Sequence, residues 1–239
     1  ASNYIKKKNK IFFYKLFGDK KKIEDSLKNK KIDTKSYEII HTENNIKGED
    51  SALMAAKRGK NTSMWMSIES VKNKTSDIIL SAGNTGALFV IAKLNLNMIE
   101  KIDKPALSGL WPNKTGMNVV LDLGANIECN EKNLKDFSIM GAALHKSLFP
   151  KETSKVALLN IGSEELKGNS VIKNTYQDLS KFKNSLFDFK GYVEGNNIMS
   201  GEVNVIISDG FTGNIALKTA EGTANFITSE LKKALTGNI

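Results

Sequence analysis

Short aliphatic runs alternate along the chain with longer stretches in which apolar residues recur every three or four positions. The runs at 11–17, 37–42, 77–81, 106–111, 118–123, 155–160 and 203–208 predict β-strands, with an extra short strand near 187–193 inside the less periodic segment 182–202. Helical spacing predicts helices near 19–30, 49–59, 62–73, 84–97, 131–149, 163–181 and 213–235. Strands that are nearly continuously apolar, separated by helices, imply a largely parallel sheet covered on both faces, an α/β fold. The last helix is the clearest: Ala216, Ala220, Ala224, Ile227, Leu231 and Leu235 form one stripe. Such a stripe reads as core, or as a face for a second subunit.

Composition narrows this picture. With 239 residues and 40% hydrophobic content, the chain can build one sizeable core or two small ones sharing a sheet. Only three prolines occur and neither linker nor repeat interrupts the pattern, so one domain over 1–239 is the economical reading. The net charge of +9 is concentrated at the front, because residues 1–35 carry 12 lysines against 4 acids. No stacking aromatics or nucleic-acid signature accompany those lysines, so a solvated face is favoured over a nucleic-acid site. Attraction to an acidic protein or anionic lipid stays open. The single cysteine, Cys129, excludes an intrachain disulfide, and the chain reads as cytoplasmic. No apolar run approaches the roughly 20 residues a membrane helix needs, and no signal-peptide pattern opens the sequence. It starts at Ala1, and "ASNYIKKKNK" reads like the tail of a helix, so the sequence is expected to begin partway into a longer product.

Four predicted strands end in one kind of loop: "SAGNTGA", "DLGANIE", "NIGSEELKGN" and "SDGFTGN". Each places glycine just past an apolar run, together with Asn, Ser, Thr or Asp. Strand C-termini of an open parallel sheet share one edge, where ligands bind. Glycine admits a close backbone approach, and a helix N-terminus favours an anion such as phosphate or carboxylate. Taken singly, each glycine can serve only a turn and each polar residue only a cap. Four together favour a shared polar pocket.

Established nucleotide signatures are missing: no GxGxxG follows a strand, and "GSEELKGNS" lacks the spacing of a phosphate-binding P-loop. No GxSxG elbow or zinc-spaced Cys/His cluster occurs, and Cys129, His41 and His145 read as structural. Any chemistry would then rest on positioning and electrostatics. Lys167 and Lys218 could each supply a point charge for an anion, or be ordinary surface lysines.

In order, spacing and wording, these loops resemble the phosphate acyltransferase family called PlsX. The matching segments are "SDIILSAGNTGALFVIAKL", "IDKPALSGLWP", "VVLDLGANIEC", "VALLNIGSEELKGN" and "GYVEGNNIMSGEVNVIISDGFTGNIALKTAEGTA". The resemblance implies a three-layer α/β/α Rossmann-like sandwich, akin to phosphotransacetylases and isocitrate dehydrogenases. It also implies transfer of a fatty acyl group from acyl-acyl carrier protein to inorganic phosphate, giving acyl phosphate for phospholipid synthesis. A homodimer and peripheral membrane contact are implied as well, with no metal, redox cofactor or nucleotide. Ser81, Gly83, Asn84, Thr85 and Gly86 are expected to cradle phosphate, with Asn214 and Lys218 opposite. Asn84, Lys167, Asn214 and Lys218 are the expected catalytic residues; Asp122, Gly124, Asn126, Asn160, Gly162, Glu165, Asp209 and Gly210 are expected to orient substrate. Asn84→Ala is expected to reduce turnover while leaving the fold intact. The lysine-rich front matches an acidic carrier protein, though a lysine-biased composition alone would look the same. Compared with the family, the sequence is expected to be missing the opening strand with its "MGGD"-type motif and the C-terminal end. Two other readings stay open, a phosphotransacetylase-like enzyme using acyl-CoA and a non-catalytic binder of acyl or phosphorylated metabolites.

Overall fold

The computed structural model describes residues 12–28, 30, 32–183 and 185–237. The opening stretch read above as a helix tail lies outside them. The chain groups into two compact units, Ala1–Met98 and Ile99–Ile239.

In the first unit, β1 (Tyr14–Gly18) pairs in parallel with β2 (Tyr37–His41), from Tyr14 opposite Tyr37 to Gly18 opposite His41. The crossover contains α1 (Lys20–Leu27), started by Asp19, whose carboxylate accepts from the Lys21 and Lys22 N–H groups. Three further helices, α2 (Ala52–Arg58), α3 (Ser63–Lys72) and α4 (Thr85–Asn95), bury Ala55, Ala56, Met64, Ile68, Ala87 and Ile91 in one cluster. The strand expected at 77–81 is not formed. A strand exists through partners, and among the described residues none pairs with this segment, which leaves Ile78 83% and Leu80 100% exposed.

The second unit is built on five strands: β3 (Ser108–Asn113), β4 (Gly116–Leu121), β5 (Lys155–Asn160), β6 (Asp188–Glu194) and β7 (Val205–Ile207). Their spatial order is β3-β4-β7-β5-β6; β3 is an antiparallel edge on β4 and the other pairings are parallel. Side chains alternate across the pleat. Val119, Leu121, Val156, Leu158, Val205 and Ile207 face α5 (Glu131–Leu148) and α6 (Ser170–Lys181), with Leu134, Phe137, Ile172 and Leu179 filling that layer. Val120, Ala157, Leu159 and Ile206 face the other way, against Ala216, Leu217 and Ala220 of α7 (Gly210–Thr236). Each fully buried Leu, Ile or Phe contributes about 1.5–3 kcal/mol, so the two faces hold the three layers together.

Two expectations change here. The helix expected from 163 begins at Ser170, where Asn169 caps it; the preceding loop is closed by its own hydrogen bonds. Only the first part of the α7 stripe is core: Ala224, Ile227, Leu231 and Leu235 are exposed, because the sheet beneath ends near Ala220.

Near the end of α5, His145 is fully buried, its Nδ1 2.9 Å from the Ser154 hydroxyl. Ser154 in turn reaches the Ala142 carbonyl at 3.3 Å, which makes Nδ1 the protonated ring nitrogen. Nε2 is buried without a hydrogen-bond partner, 3.7 Å from the Glu152 carboxylate. Burial pushes the imidazole below its ordinary value, against the pull of Glu152. As pH falls through about 6.5, the unfolded chain takes up this proton more readily than the folded one, so stability is complete above that value and declines below it. Thermal unfolding midpoints should therefore drop from about pH 7.5 to about pH 5.5, and drop less in His145→Gln; equal slopes for both proteins would exclude this histidine as the cause.

Candidate active site

Three of the four glycine loops lie at the C-terminal edge of the five-stranded sheet, following β4, β5 and β7. The fourth, Ser81–Gly86, belongs to the first unit. Because β3 is antiparallel, its beginning rather than its end reaches the same edge, bringing Lys104–Leu107 beside the β4 loop.

Asp122, the residue after β4, organises that loop. Its buried carboxylate accepts the backbone N–H groups of Leu107 (3.1 Å), Gly124 (3.1 Å), Ala125 (3.0 Å) and Asn126 (2.7 Å), and the Asn126 side-chain amide at 2.7 Å. Asn126 also donates to the Pro105 carbonyl at 2.8 Å and accepts from the Gly210 N–H at 2.7 Å, so it ties three segments together. The nest of N–H groups that the sequence suggested for a bound anion is therefore filled by the protein's own carboxylate.

The β7 loop is fitted to it without spare room. Ser208 exchanges backbone hydrogen bonds with Leu121 and Asp122, and Asp209 caps α7 by accepting from the N–H of Thr212 at 2.7 Å and its hydroxyl at 2.9 Å. A Cβ on Gly210 would come within 2.6 Å of the Asn126 carbonyl oxygen, and one on Gly213 would overlap that of Asp122. Gly124, with φ +131°, lets the backbone pass Asn214, whose amide donates to the Leu123 carbonyl at 3.2 Å. Asp122, Gly124, Asn126, Asp209, Gly210 and Asn214 thus come together as one hydrogen-bonded knot.

Asn160, Gly162, Glu165 and Lys167 belong to the neighbouring β5 loop. The Asn160 amide donates to the carbonyls of Gly162 (3.0 Å) and Lys167 (3.1 Å), and Gly168 turns the chain at φ +96° against the Asn160 side chain. Glu165 is exposed. Beside this loop lies a cleft of about 360 Å³ lined by Ser163, Lys190, Tyr192, Glu194 and Glu202. Its charged walls do not suit an acyl chain.

The two lysines expected to supply charge are exposed and paired, Lys167 with Glu164 at 3.6 Å and Lys218 with Glu221 at 2.8 Å. Sequence reading missed Lys104, which donates to the Glu128 carbonyl at 3.2 Å from the strand-start segment beside the Asp122 loop. Its signal was its place just before β3, legible only once β3 is known to be antiparallel. Cys129, whose thiol reaches the Asn126 carbonyl at 3.7 Å, is pushed up to about 11 by burial and then by the Asp122 charge. It stays a thiol near neutral pH, in keeping with its structural reading.

In the first unit, Asn84 caps α4 by accepting from the Ala87 N–H at 2.9 Å, and its amide donates to the carbonyls of Gly48 (2.9 Å) and Asp50 (2.8 Å). Ser81 accepts from the Gly83 N–H at 3.2 Å, and Thr85 opens the helix with an exposed side chain. Gly83 and Gly86 lie close to Met64 and Ala52, where a Cβ would come to 3.0 and 3.2 Å. The side chains of Ser81 and Asn84 shape the backbone of this loop.

The fold is that of the phosphotransacetylase-like α/β proteins. The chain superposes on EutD phosphotransacetylase from Staphylococcus aureus with a TM-score of 0.59 at 14% identity, covering 87% of this chain and 73% of that one. A branched-chain phosphotransacylase from Enterococcus faecalis gives 0.57 at 13% identity, covering 91% and 77%. Residues 4–239 match the family described as "Fatty acid synthesis protein". The chain is 68% identical over 237 residues to the phosphate acyltransferase of Pelagibacter ubique, covering 99% of this chain and 71% of that protein. It is 45% identical over 202 residues to the Maricaulis maris phosphate acyltransferase, covering 84% and 57%. The chain belongs to the phosphate acyltransferase family of fatty acid synthesis proteins.

The geometry revises one expectation, that Asn84→Ala would leave the fold intact. Losing a helix cap and two donors should destabilise the first unit by about 1–3 kcal/mol, seen as faster amide exchange at Ala87 and in the 48–50 turn. Unchanged exchange there would show that Asn84 is dispensable to the loop.

Proposed function

We propose that the protein transfers a fatty acyl group from acyl-acyl carrier protein to inorganic phosphate, releasing free carrier and acyl phosphate. The observation that carries this reading is membership of the phosphate acyltransferase family, with three of the family's four loops fixed along one sheet edge. The chain spans 71% of the Pelagibacter relative and 57% of the Maricaulis one.

The chemistry suits a site of fixed dipoles and charges. A phosphate oxygen attacks the thioester carbonyl, a C–O bond forms, the C–S bond breaks, and the thiol leaves on the carrier's arm. The nucleophile is already ionised at neutral pH, so the task is to hold two anionic partners in line and stabilise the oxyanion. On this reading the Asp122 knot sets the β4 and β7 loops, Asn160 sets the β5 loop, and Lys167 and Lys218 leave their surface glutamates to meet substrate. Exposed pairs of this kind are worth only about 0–1 kcal/mol, so that exchange costs little. In the first unit, the Ser81–Gly86 loop offers its backbone and the exposed Thr85 hydroxyl to phosphate.

Partners follow from the same reading. The lysines around α1 match an acidic carrier protein. The exposed Ile227, Leu231 and Leu235 of α7 form a continuous apolar stripe suited to a second copy of the chain in a homodimer. No helix among the described residues is long and apolar enough to cross a membrane. The proposed place is the cytoplasm, with peripheral contact at the inner face of the cell membrane, because acyl phosphate is an amphiphile.

Incubation with long-chain acyl-acyl carrier protein should release free carrier only when phosphate is present. Release with acyl-CoA alone would favour a phosphotransacetylase-like enzyme, and no turnover with either thioester a binding protein. Leu231→Glu should shift the protein to a smaller species in light scattering; an unchanged mass would remove α7 as the contact between copies.

A further inference from the structure

The loop donors of the second unit are largely engaged within the protein. Asp122 takes the N–H groups of Gly124, Ala125 and Asn126, Asp209 takes that of Thr212, and the Asn126 carbonyl takes that of Gly210. A multiply charged anion at this edge is met at least cost by a cation with no ion-pair partner to leave. Lys167 and Lys218 each have a glutamate partner within 4 Å. Lys104 differs. It is half-buried, it donates to a neutral carbonyl, that of Glu128, and among the described residues it makes no ion pair. An ammonium that donates one N–H to a neutral acceptor has two further N–H donors for another group.

Its position is fixed from both sides. Two residues downstream of the Pro105 carbonyl that accepts from Asn126, the Leu107 N–H reaches Asp122. The base of the Lys104 side chain is therefore anchored to the same knot that sets the β4 and β7 loops. The Glu128 carbonyl that Lys104 meets is next to Cys129, whose thiol reaches the Asn126 carbonyl of that knot at 3.7 Å.

We infer that Lys104 binds a phosphate group of the substrates directly and is a catalytic residue of this site. The inference rests on the acyl-to-phosphate reading above, and two sources share the chemistry: inorganic phosphate, or the phosphodiester in the carrier's prosthetic arm. The expected result for Lys104→Met is a rise of about tenfold or more in one of two KM values. A rise for phosphate assigns the inorganic ion, and a rise for the carrier thioester assigns the arm. Lys104→Arg should recover much of the loss, whereas Lys151→Met, an exposed lysine away from the loops, should change neither constant. Both KM values within twofold of wild type, with an unchanged melting curve, would overturn the inference. If the wild-type protein shows no turnover, the functional reading fails by itself, and Lys104 is then judged by a second measurement. Labelling of Lys104 by an amine-reactive reagent, followed by mass spectrometry, should be slowed at least about fivefold by inorganic phosphate or by phosphopantetheine. Labelling unaffected by either compound would equally overturn it.

Discussion

The buried carboxylate of Asp122 holds the candidate site in shape. It lies at the end of β4, where the strand can no longer satisfy the backbone, and it accepts from four backbone N–H groups and one amide. Hydrogen bonds to a charged acceptor are worth about 1.5–3 kcal/mol each, and losing the acceptor would leave several part-buried donors without it at once. Through Asn126 and the carbonyl of Asp122 the constraint passes to Gly210, Ser208 and Gly213, so the start of α7 is set by the same group.

One device recurs around it. Asn160 closes the β5 loop on the carbonyls of Gly162 and Lys167, Asp209 starts α7, and in the first unit Asn84 starts α4 while holding the 48–50 turn. In each case a short polar side chain directly after an apolar segment supplies the partner its backbone lacks. These residue types were singled out as ligands for a substrate. In the structure their side chains engage the protein's own backbone, which makes them fit to position the loops.

The legible parts of the chain were those with a local cause. The runs "VVLDL", "VALLN" and "VNVII" announced β4, β5 and β7, because strands buried on both faces must be apolar throughout. The motif "SDGFTGN" announced a capped helix start, since Asp209 and the small residues act within one turn. The 77–81 run had the same composition and formed no strand, because pairing depends on a partner that composition does not specify. Residues 163–168 carried a helical pattern that Asn160 overrode from outside the segment.

Sequence by itself determined the α/β layering, the places where each glycine loop follows its strand, and the family to which the loops belong. Only the tertiary structure decided which polar side chains face inward to the backbone and which charge remains for a ligand. Lys104 is the clearest case: its importance comes from an antiparallel edge strand that carries it to the Asp122 loop. The exposed half of α7 is another, for its apolar spacing is the same whether a sheet lies beneath it or the helix has run past the sheet's end. Local periodicity records what a segment can bury; the long-range pairing of strands sets what lies beside it.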